Sequence, residues 1–240
     1  MLKELLEAGK CFKLVCGAGN EDALEVEKLV ALYSKAGCKF FDVSAKPEII
    51  DAAKKGLQGR EGYICVSVGI KGDPHVRKAQ IDYEKCAGCH KCEEICPQKT
   101  IKHCKVKTAR CIGCGKCYTV CTHGAISFLS ENKDLREVLP PLIEKGIDCI
   151  EFHVIGEDES GIYEKWDYIN SLYDGRLSIC TARGKLSEEK MISRIERMTA
   201  IRKSYTTIVQ ADGFPMSGGK DDYKTTLQAV ATAEIVNPSA

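Results

Sequence analysis

Residues 86–97 read Cys-Ala-Gly-Cys-His-Lys-Cys-Glu-Glu-Ile-Cys-Pro, and residues 111–122 read Cys-Ile-Gly-Cys-Gly-Lys-Cys-Tyr-Thr-Val-Cys-Thr. Both are C-x2-C-x2-C-x3-C, and the second run is offset from the first by 25 residues. The match extends beyond the cysteines: Gly88 pairs with Gly113, Lys91 with Lys116 and Ile101 with Ile126. Nine of the fifteen cysteines in this 240-residue chain lie between Cys86 and Cys121. An odd count with such uneven spacing is no disulfide framework and points to metal or redox chemistry. Zinc takes well-separated cysteine pairs around one tetrahedral ion, and a repeated triplet followed by a fourth cysteine fits that poorly.

The repeated run resembles the bacterial two-cluster ferredoxin motif. A cubane cluster has four iron corners, each wanting a thiolate. Three cysteines on a short loop wrap one face, and the small Gly88 or Gly113 lets the backbone approach the sulfurs. The remaining corner points away, and in this motif the fourth cysteine of each run ligates the other cluster. Carried over, the resemblance implies two [4Fe–4S] clusters. Cluster one takes Cys86, Cys89, Cys92 and Cys121, and cluster two takes Cys111, Cys114, Cys117 and Cys96. The second run departs from the motif at Thr122, where Pro is usual. Thr122 and His123 therefore add polar groups near one cluster, and such groups tune its potential. Cys104, between the runs, reads as a spare residue.

The flanks alternate between strand and helix. Cys11–Cys16, Cys38–Val43 and Tyr63–Val68 read as strands, with helices at Asp22–Ala36 and Pro47–Leu57. Downstream, strands are expected at Cys149–Ile155, Leu177–Thr181 and Thr206–Gln210. The helices there are Leu135–Lys145, Gly161–Tyr173, Ser187–Lys203 and Asp221–Ile235. Such alternation gives an α/β fold with a parallel sheet. A closed eightfold barrel usually needs ~250 residues, whereas the flanks supply enough for about six units of ~30 residues. The expected architecture is a barrel-like (βα) repeat domain, an incomplete TIM-type barrel, with an open doubly wound sheet as the alternative. Its halves, residues 1–80 and 130–240, flank an inserted ferredoxin-like domain at 81–129.

Period two places Cys149, Glu151 and His153 on one strand face and Ile150, Phe152 and Val154 on the other. Glu151, His153 and Asp42 are therefore the candidates for a catalytic or small-molecule site near the carboxyl ends of the strands. The Gly- and Ser-rich stretch with Ser217, Gly218 and Gly219 is a candidate phosphate or flavin loop, although Asp221 and Asp222 behind it look like helix caps. Cys11, Cys16, Cys38, Cys65, Cys149 and Cys180 fall in the expected strands and read as small packing residues.

Composition narrows the rest. Lys plus Arg number 35 against 34 Asp plus Glu, a formal charge of +1, so no basic footprint for nucleic acid exists. No apolar run approaches the ~18 residues of a membrane span. The N-terminus lacks a secretory signal, which gives a cytoplasmic expectation.

Val15-Cys-Gly-Ala-Gly19, Asp73-Pro-His-Val-Arg-Lys-Ala-Gln80 and Asp212-Gly-Phe-Pro-Met-Ser-Gly218 together resemble the light-dependent period iron–sulfur protein family of cyanobacteria. That resemblance implies iron–sulfur clusters and a redox-sensing role in clock input. It also implies that Cys16, Asp73, Pro74, His75 and Arg77 matter beyond packing. The expected function is electron transfer or redox sensing with a redox partner protein. The alternative is an oxidoreductase in which the clusters feed a flavin or small substrate.

Overall fold

The computed structural model describes residues 1–17, 19–69, 77–130, 134–156, 158–183, 186–213 and 221–237. The first flank holds α1 (Leu2–Glu7), β1 (Lys13–Val15), α2 (Ala23–Lys35), β2 (Phe40–Ser44), α3 (Pro47–Leu57) and β3 (Tyr63–Val68). The cysteine-rich segment holds β4 (Arg77–Ile81), α4 (Lys91–Ile95), β5 (Ile101–Lys102), β6 (Lys105–Val106), a 3-10 turn at Thr108–Arg110, α5 (Lys116–Val120) and β7 (Ile126–Ser130). The second flank holds α6 (Leu135–Glu144), β8 (Cys149–His153), α7 (Glu159–Leu172), β9 (Arg176–Ala182), α8 (Glu188–Ala200), β10 (Thr207–Asp212) and α9 (Asp222–Val236).

Side-chain caps set the helix starts. Asp22, Asp134, Asp158, Ser187 and Asp221 each accept a backbone N–H from the first turn of the helix that follows. This satisfies one of the orphan donors there. Asp221 thus behaves as the cap expected of it. The strand β1 is shorter than its apolar run, leaving Cys11 and Cys16 outside it, and β2 starts after Cys38. Among the described residues β1 pairs only with β2, and an edge strand has one ladder to hold its ends.

Six strands form one parallel sheet in the order β1-β2-β3-β8-β9-β10. This is chain order with the cysteine-rich segment skipped. A doubly wound sheet needs a reversal in strand order, and this sheet has none. The sheet curls into a half-barrel. Lys13 on β1 donates to Gln210 on β10 at 2.7 Å, whereas a flat sheet would hold those strands about 24 Å apart at ~4.8 Å per step.

The convex face is apolar and carries the helices. Phe41, Val43, Val66, Ile150, Phe152, Leu177 and Ile179 pack there against Val26, Val30, Ile49, Ile50, Leu139, Leu142, Ile162, Trp166 and Met198. Trp166 lies near parallel to Phe152, and its indole N–H donates to the Met198 carbonyl at 2.8 Å. Between α2 and α3, a Cβ at Gly56 would stand 2.5 Å from the Glu27 carbonyl oxygen, so this close crossing requires glycine. The concave face changes character along the strands. Near their amino ends Phe40, Cys65 and Cys149 pack against Leu2 of α1, which plugs that end. Further along, the inward residues are polar.

Candidate metal centre

The two cysteine runs fold as a structural repeat with the sequence offset of 25. The antiparallel pair β4–β7 places Ile81 opposite Ile126, and β5–β6 places Ile101 opposite Val106. Asp82 N–H donates to the Ala125 carbonyl at 2.8 Å, and its counterpart Lys107 N–H donates to Thr100 at 2.8 Å. The backbone turns left-handed at Gly88 and Gly113, at His90 and Gly115, and at Lys99 and Gly124. His90 and Gly115 then open the equivalent helices α4 and α5.

This folding interleaves the two runs around two cavities. One is lined by Cys86, Cys89, Cys92 and Cys121, with Cys104 beside them. The other is lined by Cys111, Cys114, Cys117 and Cys96. Each cavity thus receives a contiguous triplet from one run and the fourth cysteine of the other. Ala79, Ile101 and Ile126 pack against these sulfurs, with Ile81, Val106 and Phe128 partly buried around them. An apolar shell of this kind limits water access. Backbone amides point at sulfur: Thr100 N–H to Cys96 and Ala125 N–H to Cys121, related by the repeat, and Ala79 N–H to Cys111, all at 3.4 Å. Burial pulls the Cys121 thiol upward, but the amides around Ala125 outweigh it and hold its pKa below the ordinary value. All fifteen cysteines are free thiols. Donor type, number and grouping fit iron–sulfur clusters.

The two cavities differ in surroundings. Cys89 is exposed, whereas Cys111 and Cys117 are buried. His123 lines the first cavity, which places a titratable ring there as its sequence position suggested. The second is flanked by cations. Arg77 donates to the Gly113 carbonyl at 2.6 Å and lies 4.3 Å from the centre of the Phe128 ring. Lys78 donates to the Cys111 carbonyl at 2.9 Å and to the Gly19 carbonyl of the loop after β1. Around it, Glu21 N–H donates to Ala109 at 2.7 Å, and Arg110 and Lys107 pair with Glu25 and Asp22 of α2. These contacts seat the second cavity against the carboxyl end of the sheet. Arg77 was singled out by its sequence; Lys78 was not. Asp73, Pro74 and His75 lie outside the described residues.

The other candidates also meet. Asp42, Glu151 and His153 converge on the concave face, joined by Lys13, Ser67, Ser178 and Gln210. Lys13 stands 3.0 Å from Asp42 and pairs with Glu151. Ser67 donates to Asp42 at 2.6 Å, and Ser178 donates to Glu151 at 2.9 Å. The Gln210 amide donates to Glu151 at 3.1 Å, and His153 Nε2 is 3.4 Å from the same oxygen. Burial would lower the Lys13 amine, but Asp42 and Glu151 hold it well above its usual value. Burial, then the neighbouring Glu151 charge, pushes Asp42 up to about 6 against the pull of Lys13. Burial would also raise Glu151, yet its hydrogen bond to His153 and the Lys13 charge hold it low. One cation holds two carboxylates, and Asp42 Oδ2 has the Lys13 ion pair but no hydrogen-bond partner. The sequence reading missed Ser67 and Ser178 and, most consequentially, Lys13. Its signal was a single charge inside an apolar run. Ser217, Gly218 and Gly219 lie outside the described residues. Among the described residues no helix is long and apolar enough to cross a membrane.

Comparison with known proteins agrees with the cysteine geometry. Residues 86–132 match the family model described as the LdpA Fe-S cluster-binding domain. The chain is also 29% identical over 225 residues to "Light dependent period A" of Synechococcus elongatus, covering 90% of this chain and 64% of that protein. It therefore spans less than two thirds of the length of this relative. The interleaved cysteines, the matched cluster-binding segment and the similarity along nearly the whole chain make this chain similar to the LdpA proteins and mark residues 86–132 as an iron–sulfur cluster-binding segment.

Proposed function

We propose that the chain is a one-electron redox protein carrying two [4Fe–4S] clusters, acting in electron transfer or redox sensing with a partner protein. The observation that carries this reading is the lining of the two cavities, each with three cysteines from one run and one from the other. Cys86, Cys89, Cys92 and Cys121 would hold the first cluster, and Cys111, Cys114, Cys117 and Cys96 the second. The clusters supply reversible one-electron chemistry when bound. The chain supplies the rest. Backbone amides at Thr100, Ala125 and Ala79 stabilise sulfur charge, the isoleucines exclude water, and Arg77 and Lys78 bring positive charge to the second site. In this reading residues 81–129 are the cluster unit between two halves of one α/β scaffold. The free thiols suit a reducing, cytoplasmic setting.

An EPR-monitored redox titration of anaerobically purified protein, with iron and sulfide quantified on the same sample, tests this. The expected result is equal iron and sulfide with two interacting cubane signals. Zinc without sulfide would overturn it.

One observation favours a second reading, an oxidoreductase whose α/β scaffold binds a flavin or small substrate. Lys78 ties the second cysteine cavity to the loop after β1, on the carboxyl side of the sheet, where His153 ends β8. Bound flavin absorbance, or turnover lost in Glu151→Gln with iron content intact, would select that reading.

A further inference from the structure

The repeat is broken at one position that matters chemically. Under the 25-residue offset, the counterpart of Cys104 is Ala79. Ala79 lines the second cavity and donates its N–H to Cys111 at 3.4 Å. Cys104 lines the first cavity together with Cys86, the counterpart of Cys111. The first cavity therefore holds five thiols and the second four.

Cys104 is held there at a conformational cost. The strands β5 and β6 are joined by the two-residue turn His103-Cys104, and both residues have positive φ, 49° and 57°. Such a turn favours Asn and Gly, and a side chain in the left-handed region costs about 1–2 kcal/mol. The Cys104 N–H is fixed by the Glu93 carboxylate at 2.8 Å, and Glu93 is fixed in turn by His90 at 2.8 Å.

We propose that Cys104 is a reserve ligand of the first centre, taking over the iron that Cys86 serves. The inference rests on the two-cluster reading above. In the exchange the Cys104 thiol gives up its proton and bonds the iron, while Cys86 leaves that iron and takes up a proton. One iron–sulfur bond breaks, one forms, and no electron is gained or lost. The first cavity is the one with an exposed ligand, Cys89, so it is the centre where a spare thiol protects most.

The test compares iron, sulfide and EPR signals in wild type, Cys86→Ala, Cys104→Ala, Cys86→Ala/Cys104→Ala and Cys111→Ala, all purified anaerobically. Wild type alone reports on the two-cluster reading. The variants report on the reserve ligand. Cys86→Ala should keep full iron and sulfide, with a shifted signal for one cluster. The double variant and Cys111→Ala should each lose about half of both, while the other cluster's signal persists and shows that the chain is folded. Loss in Cys86→Ala equal to that in the double variant would overturn the proposal. So would full retention in Cys111→Ala, which has no fifth thiol to call on.

Discussion

Lys13 and Gln210 stand on the first and last strands of a six-stranded parallel sheet, yet the lysine Nζ donates to the glutamine Oε1 at 2.7 Å. The sheet is curled until its two edges share a buried charge network, and Lys13 is the only lysine or arginine in it among the described residues.

Replacing Lys13 tests that network. Lys13→Met would leave Asp42 and Glu151 buried without their cation, and breaking such an arrangement costs about 3–5 kcal/mol. The urea unfolding midpoint should fall accordingly. Gln210→Ala should cost less, about 1.5–3 kcal/mol, since it removes hydrogen bonds to Lys13 and Glu151 but leaves both carboxylates their cation.

The two carboxylates should respond to pH in opposite ways. Asp42 is pushed up to about 6, so the folded state holds its proton more tightly than the unfolded chain. Its contribution to stability is present at low pH and is lost as pH rises from about 4 through about 6. Between about pH 5 and pH 7 this amounts to about 1 kcal/mol, and Asp42→Asn should abolish that slope in urea titrations. Glu151 is held low, so its contribution is present above the ordinary carboxylate range and is lost on acidification. Glu151→Gln should therefore destabilise at neutral pH more than Asp42→Asn does.

The interleaved cavities make a reciprocal prediction. Cys96→Ser should remove the same EPR signal as Cys114→Ser, and Cys121→Ser the same signal as Cys89→Ser. If Cys96→Ser instead removed the signal lost in Cys89→Ser, each run would be serving its own centre.

Lys78 should tune one centre. Its ammonium sits against the Cys111 carbonyl with a side chain 13% exposed. Lys78→Met should lower the potential of the second centre by about 40 mV, the equivalent of about 1 kcal/mol for one electron, and leave the first nearly unchanged. A redox titration with both signals resolved reads this directly.

Much of this was legible in the sequence because it is local. The spacing of Cys86 to Cys96 and Cys111 to Cys121 is set by the reach of a short loop. The faces of β8 follow from period two, and Asp221 announces the helix it caps. The meeting of Lys13 with Glu151 and Gln210 was not legible, because it depends on how far the sheet curls. No residue pattern within one strand encodes that. Cys104 was read as spare for a related reason. It comes to line the same cavity as Cys86 only in the folded chain, and the contrast shows when the two halves are overlaid and Ala79 is found in its place.

The strands β3 and β8 are separated by the entire cysteine-rich segment, yet they lie side by side with Cys65 opposite Cys149 and Val68 opposite Phe152. The seam between the first and second flanks is thus closed by backbone hydrogen bonds that need no metal. A newly made chain can complete its scaffold before iron and sulfide arrive, and present a waiting loop to whatever delivers them.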